Sequence, residues 1–238
     1  MTRGERAKRA LEDLPQLYPQ AHCELNFSNP LELLVATILS AQCTDLRVNM
    51  VTPKLFARYP DVVAYAQAEI QELEDIIRST GFYHNKAKSI KAAAQQICAL
   101  HGGHVPQSLE QLHHLPGVGR KTANVVLGNA FGIEEGVVVD THVGRLSRRL
   151  GLTKYNDPGK VERDLMKLVP QPQWTLFSHW LIWHGRRRCY ARNPDCENCE
   201  LATWCPSAGK VTKKTPPKQK GPSIKKVGSS RTSQRSLR

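Results

Sequence analysis

Helix-start residues recur along this chain, each ahead of an apolar stripe of helical period, while alternating strand patterns are nearly absent. Thr2 with Glu5 reads as a capping box, Asn29 precedes Pro30 and "LELLVATILSAQ", and Thr44 opens the next helix. In the second of these helices the stripe is Leu31, Leu34, Val35 and Ile38. Further helices are expected over Glu69 to Ser79, closed by Gly81, and over "NKAKSIKAAAQQICALHGG", closed by two glycines. Others run from Ser108 to about His114, from Thr141 to Leu150, from Pro158 to Val169, and across "WTLFSHWLIWHGRRRC". The expected fold is all-α. Gly-bearing and acidic residues from Phe131 to Gly136 interrupt the helices and mark a domain change.

The 238 residues, 40% apolar and 6% aromatic, suffice for one or two packed cores. No apolar run reaches the roughly 20 residues of a membrane span, and the N-terminus lacks an apolar targeting region. An intracellular protein is expected. Seven Lys and three Arg, with no acid, lie from Lys210 to Arg238, so this tail carries ten of the 13 net positive charges. Rich in Lys, Ser, Pro and Gly, it cannot repay the entropy of ordering, and it reads either as a polyanion-binding arm or as a solubilising tail.

The run "LPGVGRKTANVVLG" from Leu115 joins the short helix ending near His114 to one beginning at Arg120. Leu115 and Val118 can enter the core, whereas Gly117 and Gly119 leave backbone amides bare at a helix N-terminus, a seat for an anion. Such an anion would offset the cations Arg120 and Lys121, which otherwise oppose the positive end of the helix. The helix buries Ala123, Val126, Leu127 and Ala130, and at about 100° per residue Lys121 points away from that stripe, toward solvent or a cleft. Arg120 and the helix end both disfavour the charged form of its amine, and an uncharged amine is a nucleophile. The plainer role for Lys121 is to bind phosphate.

Asp140 ends the apolar piece "GVVV" and precedes a helix with Val143, Leu146 and Leu150 on one face, which suits it as an N-cap. Cys23, Cys43 and Cys98 are scattered through helical segments as small apolar residues. Cys189, Cys196, Cys199 and Cys205 crowd into 17 residues with intervals of six, two and five. Thiols this close can converge on one metal centre, and with a single Cys-x2-Cys pair the spacing leaves zinc open without favouring it.

Taken together, "LPGVGRKTA", "VDTH" and the cysteine group resemble endonuclease III, a helix-hairpin-helix DNA glycosylase family with associated lyase activity, over about Phe27 to Cys205. The resemblance implies two helical domains flanking a DNA-binding cleft: a six-helix barrel with the hairpin over residues 22–133, and a cluster domain over 1–21 plus 134–209, followed by the 210–238 tail. It implies that Lys121 attacks the anomeric carbon of a damaged nucleotide, that Asp140 stabilises the cationic sugar or helps deprotonate the nucleophile, and that the four cysteines hold a [4Fe-4S] cluster of structural role. "SAQCTD" matches a loop whose Gln enters the duplex, here Gln42, and "GFYHNKA" matches a second loop, with Phe82 where Leu is more usual. Gly117, Val118, Gly119, Arg120 and Arg192 are then expected at the DNA backbone, with Arg186 to Arg188 as further candidates. The expected partner is double-stranded DNA bearing damaged bases or abasic sites, met by a monomer in the cytoplasm at the nucleoid. The expected activity is excision of oxidised pyrimidines. Adenine-mismatch glycosylases share the hairpin, aspartate and cluster but lack the lysine. Alkylated-base and pyrimidine-dimer specificities, and a non-catalytic DNA-binding protein, are the alternatives.

Overall fold

The computed structural model describes residues 1–210, which leaves all of the basic tail after Lys210 outside the described residues. Eleven α-helices and no strand occur among the described residues: α1 (Arg3–Leu17), α2 (Pro30–Leu39), α3 (Asp45–Arg58), α4 (Val62–Ala66), α5 (Ile70–Ile77), α6 (Tyr83–Leu100), α7 (Leu109–His113), α8 (Arg120–Val126), α9 (Thr141–Arg149), α10 (Pro158–Met166) and α11 (Trp174–Arg187). None is long and apolar enough to cross a membrane.

The start signals do what their chemistry predicts. Thr2 and Glu5 close a reciprocal capping box, and the side chains of Asn29, Thr44, Ser108 and Asp140 each accept from a backbone amide of the following turn. The helix expected from Glu69 to Ser79 instead ends at Ile77 and tightens into a 3₁₀ turn, Arg78–Thr80, before Gly81 at φ +70°. Helix α4, absent from the helices expected above, is five residues long and capped by Asp61.

Two apolar cores divide these elements. The first gathers α2 to α8 between Leu25 and Leu127. The second joins α1, through Ala7, Ala10 and Leu14, to α9, α10 and α11. Helix α2 runs through the middle of the first core, so the single stripe expected from its sequence is too narrow. Leu33, Ala36 and Leu39 are buried as completely as Leu34, while Leu31 is only partly covered. With Leu33 fully enclosed, its truncation to Ala would cost about 2–5 kcal/mol.

The chain crosses from the second core to the first after Ala21 and returns near Val137. At the return, Arg120 of α8 grips buried Glu162 of α10 with Nε at 2.9 Å and Nη2 at 3.0 Å, and Asn124 Nδ2 adds a third bond at 3.1 Å. Gly136 passes directly over this group: a Cβ there would press on Glu162 Oε1 and stand 2.6 Å from Asn124 Nδ2. Removing the guanidinium would strand a desolvated carboxylate. Arg120→Ala is therefore expected to lower the unfolding free energy by about 1–3 kcal/mol in urea titrations, the half-exposed Arg limiting the loss.

Candidate active-site cleft

Between the two cores lies a cleft of about 610 Å³. Thr37 and Ser40 from the end of α2, Asp45, and Lys121, Val125 and Asn129 line it from the first core. Val138, Asp140, Ser178, His179 and Arg186 line it from the second. Lys121 and Asp140, singled out separately in the sequence, thus share one cavity while standing on different cores.

The hairpin explains how Lys121 is presented. Gly117 sits at φ +76°, and a Cβ there would stand 2.6 Å from Ser89 Cβ, so both the backbone and the space demand glycine. Gly119 differs: its φ of −86° suits any residue and nothing lies within 4 Å. The amide of Val118 closes the turn on Leu115 O at 3.1 Å, and its side chain is buried. Val118 is therefore turned inward, and the bare amides are those of Gly117 and Gly119, which find no partner among the described residues. Lys121 comes next but one, its side chain exposed and without a hydrogen bond or ion pair to any described residue. Past Val126 the helix widens into one π-helical turn, Leu127–Phe131, an irregular geometry that often marks functional sites.

Asp140 engages one of its two carboxylate oxygens among the described residues. Its Oδ1 accepts from Val143 N at 2.7 Å and caps α9, and its Oδ2 has no partner among the described residues. His142 is half-buried, with Nδ1 3.2 Å from Arg145 Nη2, and burial lowers its pKa. The neutral ring accepts this bond, a structural role.

Asn129 and His179 carry no sequence signal, because they meet only across the cleft. His179 Nε2 lies 2.7 Å from Asn129 Oδ1, and Asn129 Nδ2 donates to Val125 O at 2.8 Å. That fixes Oδ1 as acceptor and the imidazole as the Nε2–H tautomer. Burial pushes the pKa of His179 down to about 4, and that of His184 likewise to about 4. In the unfolded chain both return to about 6.5, so between those values the unfolded state binds protons that the native state refuses. Stability should thus fall as pH drops through this window, with a slope near pH 5 approaching about 2.7 kcal/mol per pH unit. Urea titrations at pH 7, 6 and 5 measure it; equal stabilities would mean that both rings are protonated inside the fold.

Two loops carry left-handed backbone at non-glycine residues. Gln42 is exposed at φ +53°, and Phe82 is 63% exposed at φ +49°. Left-handed backbone in residues with a Cβ costs about 1–3 kcal/mol and persists only where the surroundings enforce it. Arg192 is exposed beside Asn193, the third non-glycine residue with positive φ among the described residues. Arg120 is committed to Glu162, so its guanidinium is not free as the sequence suggested. Arg186 is likewise paired with Glu24 and with Asp45 at 2.8 Å, bridging the cores. Arg187 pairs with Glu24 and covers Trp183, and Arg188 pairs with Asp195 and Glu200.

The chain matches known proteins in sequence and in fold. The profile described as "HhH-GPD superfamily base excision DNA repair protein" matches residues 35–171. Endonuclease III of Synechocystis sp. is 59% identical over 207 residues, covering 87% of this chain and 94% of that protein. The chain belongs to the endonuclease III family. Endonuclease III of Escherichia coli is 41% identical over 193 residues, 81% of this chain and 91% of the other. A solved non-covalent endonuclease III–DNA complex is similar at 43% identity and TM-score 0.84, over 88% of this chain and 98% of that one.

The cysteine group lies apart from the cleft. Cys189, Cys196, Cys199 and Cys205 are unpaired and line one pocket with Leu146, Leu150 and Leu201. Arg149 Nη1 stands 3.2 Å from Cys189 Sγ, and His184 Nε2 stands 3.6 Å from Cys199 Sγ. Burial pushes the Cys199 thiol up to about 11 and raises that of Cys205, a cost that a bound cation would offset. Among the described residues no group of ligating side chains is arranged to grip a single metal ion. Cys23, Cys43 and Cys98, read as small apolar residues, are half-buried and pack against the first core.

Proposed function

We propose that this endonuclease III family member excises oxidised pyrimidines from duplex DNA and then cleaves the strand, with Lys121 as nucleophile. The observation that carries the reading is that an unpaired lysine and a carboxylate with one free oxygen line one cleft from opposite cores. In the first step the Lys121 amine bonds to C1′ as the C1′–N bond to the base breaks; the departing base takes the electron pair. Asp140 Oδ2 lies where negative charge offsets the positive charge developing on the sugar, or where it can take the ammonium proton. Loss of a proton and opening of the sugar give an imine. The imine acidifies the C2′ proton; its removal expels the 3′ phosphate and nicks the strand.

The target base is reached by extrusion, and Gln42 and Phe82 fill the hole it leaves. The bare amides of Gly117 and Gly119, with the start of α8, hold a backbone phosphate, and exposed Arg192 holds another. Four unpaired cysteines lining one pocket fit an iron–sulfur group, which Cys189, Cys196, Cys199 and Cys205 would hold. That group's contribution is structural, fixing the loop that carries Arg192. A monomer acting on cytoplasmic DNA completes the reading.

The test is a duplex with one oxidised pyrimidine, scored separately for base release and for nicking without alkali. Both are expected from the wild-type chain. Binding without either would reduce the protein to a DNA-binding module. Protein isolated without oxygen should be brown with broad visible absorbance, and a colourless zinc-containing preparation would overturn the cluster assignment.

A further inference from the structure

Lys86, in the first turn of α6, is 5% exposed, and no carboxylate pairs with it among the described residues. Its ammonium donates instead to two backbone carbonyls, Leu39 O at 2.7 Å and Thr80 O at 2.8 Å. Leu39 is the last residue of α2, and Thr80 is the last of the 3₁₀ turn after α5. Both carbonyls lie at helix ends where no backbone amide continues the ladder to satisfy them, and both present the negative end of a helix dipole. Burial lowers the pKa of this lysine, and the carbonyls oppose that shift by solvating its charge.

The two carbonyls matter because each stands at the root of a loop. The chain beyond Leu39 turns into the loop of Gln42, and the chain beyond Thr80 turns into the loop of Phe82. Both residues are held in left-handed backbone. Residues 39 and 80 come from separate helices, and one cation fastens them together.

We propose that Lys86 is a positioning residue that locks the Gln42 and Phe82 loops into one unit, so that both side chains enter the duplex together. This rests on the reading of these two residues as the groups that fill the hole. A rigid pair enters the duplex only when both sites are free, so either loop alone would gain little by entering first.

A double-mutant cycle tests it. Base excision from duplex under single-turnover conditions is measured for Gln42→Ala, Phe82→Ala and the double variant, in the wild-type and Lys86→Met backgrounds. In the wild-type background each single change should slow excision about tenfold and the pair scarcely more, far short of the hundredfold product. In the Lys86→Met background the two losses should multiply, and β-elimination at an abasic site in single-stranded DNA, where no hole is filled, should be unchanged. Multiplying losses in the wild-type background, or persistent coupling after Lys86→Met, would overturn the proposal. If Lys86→Met does not fold, amide exchange on the Gln42→Ala chain decides. DNA-bound protection over residues 80–83 should fall with that over 40–43, and unchanged protection at 80–83 overturns the lock. A wild-type chain that releases no base would instead overturn the functional reading, while the exchange comparison still judges the lock.

Discussion

Lys121→Gln is expected to abolish strand cleavage at an abasic site, leaving about a thousandth of the wild-type rate or less. Borohydride should trap a protein–DNA adduct with the wild-type chain and none with the variant. The change removes the only atom of this side chain that can form an imine and keeps nearly the same length. Lys121 touches no described residue through a hydrogen bond or ion pair, so folding stability should hold within about 0.5 kcal/mol. Loss of one cation would reduce the salt dependence of DNA binding by about one phosphate contact. The expected signature is therefore a folded, DNA-binding, chemically silent protein. Cleavage or trapping that survives the substitution would show that another amine attacks the sugar.

Asp140→Asn separates a cap from a charge. Asn is as good an N-cap as Asp, and its side-chain oxygen can keep the bond to Val143 N, so stability should change by less than about 0.5 kcal/mol. The free oxygen becomes an amide NH₂, which cannot offset a cationic sugar. Base excision under single-turnover conditions should fall about 100- to 1,000-fold, the scale of one lost electrostatic stabiliser. Asp140→Ala should add to this a loss of about 1 kcal/mol in thermal unfolding from the missing cap. Equal excision by Asp140→Asn and wild type would make Asp140 a cap and nothing more.

Much of this architecture is legible in the chain itself, because it is local chemistry. Thr2, Asn29, Thr44, Ser108 and Asp140 each satisfy amides within one turn, and the left-handed backbone at Gly117 is a local need of the turn, although the close approach of Ser89 is not. Lys86 shows where that legibility ends. It shares a face with Ile90, Ala93, Ala94 and Ile97, all buried, so its helical phase places it inside. Nothing in that phase says which carbonyls would receive it, since residues 39 and 80 meet it only in three dimensions. Arg120 and Arg186 mislead in the opposite sense. They read as free cations beside DNA, yet Glu162, Glu24 and Asp45 arrive from distant parts of the chain and claim them.

The helices, their caps, the glycine turn, and the lysine, aspartate and cysteines with chemistry to offer are all set at the level of sequence, since each depends on neighbours within a few residues. It took the packed molecule to bring Lys121 and Asp140 to one cleft, to join Asn129 to His179 across it, and to leave some arginines free and others claimed. Those outcomes depend on how two separately packed cores meet, and contacts between residues far apart in the chain leave no periodic trace in either segment.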